Sequence, residues 1–309
     1  MAKSHKYSDP EVLSNIGGLG LRARRVVEGT ISGLHRSPFH GFNVEFAAYR
    51  EYSPGDDLRR LDWRVLGRTD RHYIKEYEED TNLRATLVVD ASASMRYGPA
   101  ERTKFDYAAT LAASLATLLI EQRDPVGLAL FDREERGLLP PAATQAQLIQ
   151  ILGQLEAAKP DRETDLGVVL KTLAEKARRR GLLIIISDLL TDFDSFYDGL
   201  SRLEYRGHEV MIFQILDRDE LELPFNDPVL FRDIEGSEEL LAEPWGFRKA
   251  YREAMDEFLR EVRDGCSRRG IDHLLLLTDQ NLGDALSHYL HARAKAQHMR
   301  ASGRGHRGS

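Results

Sequence analysis

Ala85-Thr86-Leu87-Val88-Val89-Asp90-Ala91-Ser92-Ala93-Ser94-Met95 is the stretch on which the fold turns. A short, largely apolar run ends in a carboxylate, and two hydroxyls follow at alternate positions. Downstream, apolar runs and helical patterns take turns. Phe105–Glu121 repeats apolar side chains at Phe105, Ala108, Ala109, Ala112, Leu115, Leu118 and Leu119, the broad buried face of a helix. Val126–Phe131 reads as a strand, Leu148–Leu155 as a short helix and Leu166–Arg178 as an amphipathic helix. Leu182–Ile186 (LLIII) has no alternation, so it reads as a strand buried on both faces. Phe193–Tyr205, Glu209–Leu216, Phe247–Arg269, His273–Leu277 and Asn281–Ala296 continue the rhythm as helix, strand, helix, strand and helix. The pattern predicts an α/β fold whose mostly parallel sheet carries helices on both faces.

The chain has 309 residues, 42% of them apolar and 30% charged, enough for a full core and too apolar for global disorder. One cysteine, Cys266, excludes an internal disulfide and a cysteine-built zinc site, and fits a reducing compartment. A net charge of -7 argues against a generally basic nucleic-acid binder. No apolar run approaches the ~18–20 residues of a membrane span. The N-terminal MAKSHKYSDP has no apolar segment after its lysines and does not read as a secretory signal. The expectation is a cytoplasmic protein.

Three parts are expected. Residues 1–84 contain β-like pieces at Phe42–Tyr49 and His72–Glu76 and turn chemistry at Ser53-Pro54-Gly55-Asp56, and read as a smaller β-rich module. Residues 85–296 form the α/β domain, with a β-hairpin excursion within 217–245 from Val229–Ile234 and Glu238–Leu241. Residues 297–309 read as a disordered basic tail. The acidic excess lies in the α/β domain.

Ligands of open parallel sheets bind beyond the carboxyl ends of the strands. Asp90, Ser92 and Ser94 follow one such end and Asp188 follows another, after LLIII-Ser187. Thr164, before the helix at Leu166, sits where a loop at the same edge can present its hydroxyl. These are hard oxygen donors, suited to Mg²⁺, Mn²⁺ or Ca²⁺.

The D-x-S-x-S string at Asp90, Ser92 and Ser94, with Thr164 and Asp188 in order, resembles the metal-ion-dependent adhesion site of von Willebrand factor A domains. The resemblance implies that Ser92, Ser94 and Thr164 reach the ion directly, that Asp90 and Asp188 act mainly through waters, and that one position stays open for an acidic side chain of a partner. A second resemblance spans most of the chain. It rests on Arg36-Ser37, Gly41, Glu45-Phe46, Arg50-Glu51-Tyr52, Pro54-Gly55-Asp56-Asp57, Arg59, Asp62-Trp63, Arg68, Tyr77–Asp80, Val229–Glu235, Tyr251, Thr278-Asp279 and Leu286–Leu290. In this order the residues resemble the domain of unknown function 58 family, whose C-terminal half is similar to a von Willebrand A domain. Many members have N-terminal membrane helices, so this chain resembles a soluble subtype. The resemblance implies work with MoxR-type AAA+ ATPases, chaperone-like machines that mature or activate client proteins.

The segment REYSPGDDLRRLDWRVLGR reads in two ways. One is a structural ion-pair network between the modules, since the arginine fork suits carboxylates. The other is a partner-docking surface built on Arg50, Asp56, Asp57, Arg59 and Trp63, because Trp and Arg are enriched at binding hot spots. There is no P-loop, no G-x-S-x-G and no Ser-His-Asp order. The expected function is therefore a non-catalytic, metal-dependent interaction module working with a MoxR-type ATPase, with no specific nucleic acid and no membrane as partner. The alternative is a metal-assisted hydrolase or phosphatase using the same acidic edge.

Overall fold

The structure is a computed structural model. It describes residues 18–31, 49–51, 73–75, 84–99, 102–131, 135–161, 165–177, 179–232 and 239–287. Thr164, Asp56, Asp57, Arg59, Trp63 and the 297–309 tail lie outside the described residues. The chain forms two compact units, Met1–His35 with Arg84–Tyr289, and Arg36–Leu83 with Leu290–Ser309. In the smaller unit, β1 (Tyr49–Glu51) and β2 (Tyr73–Lys75) pair antiparallel, with Arg50 opposite Ile74.

The larger unit opens with a helix, α1 (Gly18–Ile31), in a stretch that the sequence reading takes as part of the β-rich module. Leu19, Ala23 and Val27 recur every fourth residue and are buried, which is helical spacing. Glycines at both Gly18 and Gly20 weaken that signal by lowering helix propensity. The central sheet has six strands: β3 (Ala85–Asp90), β4 (Val126–Phe131), β5 (Glu135–Ala142), β6 (Leu182–Ser187), β7 (Glu209–Leu216) and β10 (Asp272–Leu277). Their order is β10-β7-β6-β3-β4-β5. Every neighbouring pair is parallel except β4–β5. β5 has no counterpart in the sequence reading. Its Pro140-Pro141 resembles a breaker, and prolines are tolerated in a strand because it is an edge.

The helices follow from their apolar stripes. Among them are α2 (Lys104–Glu121), α3 (Gln145–Ala157), α4 (Leu166–Lys176) and α5 (Phe193–Tyr205). Next come the short α6 (Arg218–Glu222) and the long α7 (Pro244–Arg269), with residues 282–287 helical after β10. On one face of the sheet Val88, Ile185 and Ile212 pack with Leu170, Phe196 and Val262 from α4, α5 and α7. Strand alternation turns Leu87 and Val89 to the other face, against α2. Cys266 of α7 is buried, and burial pushes its thiol up to about 11, so it is an inert core residue at neutral pH. Strands β8 (Val229–Arg232) and β9 (Glu239–Ala242) form an antiparallel ribbon that leaves Leu240 and Leu241 exposed, as is Trp245 at the start of α7. No helix among the described residues is long and apolar enough to cross a membrane.

Helices α4 and α5 approach through two glycines. A Cβ on Gly199 would sit 2.8 Å from Leu170 Cβ and 2.9 Å from Gly167 O, and one on Gly167 would run into the Ser195 backbone. Gly153, on the exposed side of α3, has open space around it. Chemical denaturation should therefore separate the two sites. Gly167→Ala is expected to cost about 1–3 kcal/mol through overpacking, whereas Gly153→Ala is expected to gain up to ~1 kcal/mol through helix propensity.

Candidate functional site

Strands β3, β6, β7 and β10 run parallel, so their carboxyl ends share one edge. β3 ends at Asp90, whose side chain is fully buried. Its Oδ1 accepts the Ser92 amide at 2.9 Å and its Oδ2 accepts the Ser187 hydroxyl at 2.5 Å. The chain then turns through a short 3₁₀ segment, Ala93–Arg96, that anchors itself with buried Ala93 and Met95. The turn sets the Ser92 and Ser94 hydroxyls 3.0 Å apart. Ser92 is fully buried and Ser94 partly exposed, so only the outer hydroxyl reaches solvent.

The end of β6 supplies the second carboxylate. Ser187 Oγ accepts the Leu189 amide at 3.0 Å, and Asp188 Oδ1 accepts the Leu190 amide at 3.1 Å. Between them Leu189 takes a left-handed conformation, φ 62°, and buries its side chain completely. A non-glycine residue there is uncommon, and its burial offsets the local cost. Behind the site, Gln214 of β7 donates to the Asp188 carbonyl at 3.2 Å, and His273 of β10 meets Gln214 Oε1 at 3.0 Å. Burial, with Arg263 nearby, pulls the His273 imidazole down to about 4. It is therefore neutral in the folded protein at pH 7.

The structure adds a residue that the sequence reading does not include. Thr103 and Asp106 form a reciprocal capping box at the head of α2, making Lys104 the first helical residue. Lys104 is fully buried. Its ammonium donates to Asp188 Oδ2 at 2.8 Å and to Glu220 Oε1 at 2.7 Å. Burial pulls the ammonium down, but the two carboxylates outweigh it and hold the lysine above its ordinary value. Glu220 is fixed in turn: the Asp217 amide donates to its Oε2 at 2.8 Å, and the Tyr251 hydroxyl of α7 donates to its carbonyl at 2.6 Å. Thr278, just past β10, donates to Asp217. Burial and the acids Asp219, Glu220 and Asp217 push the Tyr97 phenol up to about 12.

Asp90, Ser92, Ser94 and Asp188 thus lie together at the sheet edge, while Thr164 lies outside the described residues. Of Arg50 only the backbone is described. Asp165, the neighbour of Thr164 in sequence, caps α4 through the Val168 amide and accepts the Ser195 hydroxyl at 3.3 Å. Among the described residues, no three His, Cys, Asp or Glu side chains cluster as metal ligands on their own. The donor set fits a hard cation only with the serine hydroxyls counted: two carboxylates and two hydroxyls, all oxygen. Its electrostatics ask for positive charge. Burial and the neighbouring Asp188 push the Asp90 carboxyl up to about 7.

That shift has a signed consequence for the metal-free protein. The folded state holds a proton that the unfolded chain releases near 3.8, so Asp90's contribution is complete below about pH 4 and lost as pH rises through 7. Asp90→Asn removes this penalty. In a chelator, thermal and urea unfolding at pH 8 should show the variant more stable than wild type, on the order of a few kcal/mol. The difference should vanish toward pH 4, and a constant difference across that range would contradict the assignment.

The family described as "Protein of unknown function DUF58" matches residues 48–264. Uncharacterised proteins of Mycobacterium tuberculosis and Mycobacterium bovis are each 32% identical over 231 residues, 74% of this chain and 72% of theirs. Among solved structures, this chain is similar to the conserved hypothetical protein BatB from Bacteroides thetaiotaomicron, with a TM-score of 0.46 and 17% identity over 69% of this chain and 99% of that one. It is also similar to the VWA domain of SpRpn10, with a TM-score of 0.38 and 12% identity over 66% and 94%. The architecture itself, a mostly parallel α/β sheet flanked by helices, stands on the strand order and helices described above. With a family match over residues 48–264, the chain belongs to the DUF58 family.

Proposed function

We propose that this protein is a metal-dependent interaction module. In this reading Asp90, Ser92, Ser94, Asp188 and Thr164 hold Mg²⁺, or Mn²⁺ or Ca²⁺ in its place, and the ion offers a coordination position to an acidic side chain of a partner. The observation that carries the reading is the all-oxygen edge itself: paired hydroxyls 3.0 Å apart, one buried and one partly exposed, beside a buried carboxylate raised to about 7. When bound, the ion supplies attraction for a carboxylate, and the protein's own groups supply its position. Ser187 and the Ser92 amide orient Asp90, and the Leu190 amide orients Asp188.

A binding role suits the way the acids are engaged. Asp165 caps a helix and Asp188 is ion-paired to Lys104, so neither is poised as a general base. The hydrolase alternative gains no support from this arrangement. As family members are linked by resemblance to MoxR-type AAA+ ATPases, we take such an ATPase as the machine this module serves, in the cytoplasm, with client maturation as the outcome. Arg50, Asp56, Asp57, Arg59 and Trp63 are the candidate docking residues for it.

Two measurements test the reading. Calorimetric titration should show Mg²⁺ binding to wild type, weakened at least about tenfold in Ser92→Ala/Ser94→Ala, since each hydroxyl is a direct donor. Purified MoxR-type ATPase from the same genome should be captured by wild type in Mg²⁺, and lost in a chelator or with Asp90→Ala. Capture of equal strength by wild type and Asp90→Ala would rule the adaptor role out.

A further inference from the structure

A lysine is almost never fully buried unless its charge is answered. Lys104 is among the largest completely buried side chains in the described structure, and both its carboxylate contacts are shorter than 3 Å. Its place in α2 is unexpected on helix grounds. A cation in the first turn opposes the helix dipole, which favours negative charge there. The capping box already completes the helix start without it. The lysine therefore serves something outside its own helix.

The surroundings indicate what. Asp188 is the one carboxylate of the site that Lys104 grips directly, through Oδ2, while Oδ1 is held by the Leu190 amide. Glu220 accepts a second hydrogen bond from the ammonium and is itself fixed at both its carboxylate and its carbonyl. The cation is thus held between two carboxylates from separate elements, Asp188 at the β6 end and Glu220 of α6, which α7 braces through Tyr251.

We infer that Lys104 is a built-in counter-cation of the site, which keeps Asp188 in place without a divalent ion and, by its fixed charge, sets divalent affinity low. This rests on the metal-binding reading above. A bound divalent ion meets a resident positive charge on the same carboxylate, and in a water-poor interior like charges repel strongly. Without the lysine, Asp188 is left for the ion alone. Without Glu220, the lysine's charge is answered by Asp188 alone and opposes the ion more.

The test is Mg²⁺ titration calorimetry on wild type, Lys104→Met and Glu220→Gln, with melting curves in chelator and in Mg²⁺. Lys104→Met should bind Mg²⁺ about tenfold tighter or more. Its melting temperature should fall in chelator and recover in Mg²⁺ by more than wild type gains, because ligand stabilises in proportion to its binding. Glu220→Gln should bind Mg²⁺ several-fold more weakly. If wild type binds and Lys104→Met, folded by circular dichroism, binds no tighter, the counter-cation role is wrong and the metal reading stands. If Lys104→Met does not fold even in Mg²⁺, Glu220→Gln decides: weaker binding supports the role, and equal or tighter binding overturns it. If neither wild type nor any variant binds Mg²⁺, the metal reading fails and this inference fails with it.

Discussion

Everything at the candidate site follows from a sheet that is buried on both faces. β3 and β6 have strands on either side and helices above and below, so their side chains have no polar outlet along their length. Polar chemistry emerges only where the backbone leaves the sheet, and parallel strands bring those exits to one edge. The carboxylates of Asp90 and Asp188 are consequently buried groups. They feel a low dielectric from the core behind them, and each must be met by an amide, a hydroxyl or a cation.

The protein meets that demand unevenly, and the unevenness gives the site its character. Asp188 receives a full charge from Lys104, and Asp90 accepts hydrogen bonds from the neutral Ser92 N–H and Ser187 O–H. Burial raises both Asp90 and Glu220, but the lysine opposes the rise at Glu220 and Asp188 adds to it at Asp90. Positive charge beside Asp90 therefore relieves the cost that burial and Asp188 place on its charged form. The polar chain from His273 through Gln214 to the Asp188 carbonyl fixes the strand end from behind, using uncharged groups that add no competing charge.

How much of this was legible in the sequence differs by element for physical reasons. The strands at Ala85–Asp90, Val126–Phe131 and Glu209–Leu216 have the predicted bounds, because continuous apolar runs report burial directly. Asp90, Ser92, Ser94 and Asp188 were legible because they directly follow such runs. β5 was not, because Pro140-Pro141 carries the mark of a turn and only the sheet reveals an edge. Lys104 was hidden by its position: a lysine one residue before an apolar helix reads as a solvated flank. The signal was a cation at a helix start that favours acids, followed at once by Phe105 in an Ala/Leu-rich helix. Its partners are 84 and 116 residues away, and no local pattern connects them.

The prolines of β5 have a consequence for assembly. An edge strand ordinarily offers a row of amides that another strand can join, in a complex or in an aggregate. Two successive residues here have no amide hydrogen to give, and the register along β4 shifts beside them. This border of the sheet is a poor template for strand addition, which favours recognition through side chains over backbone pairing there.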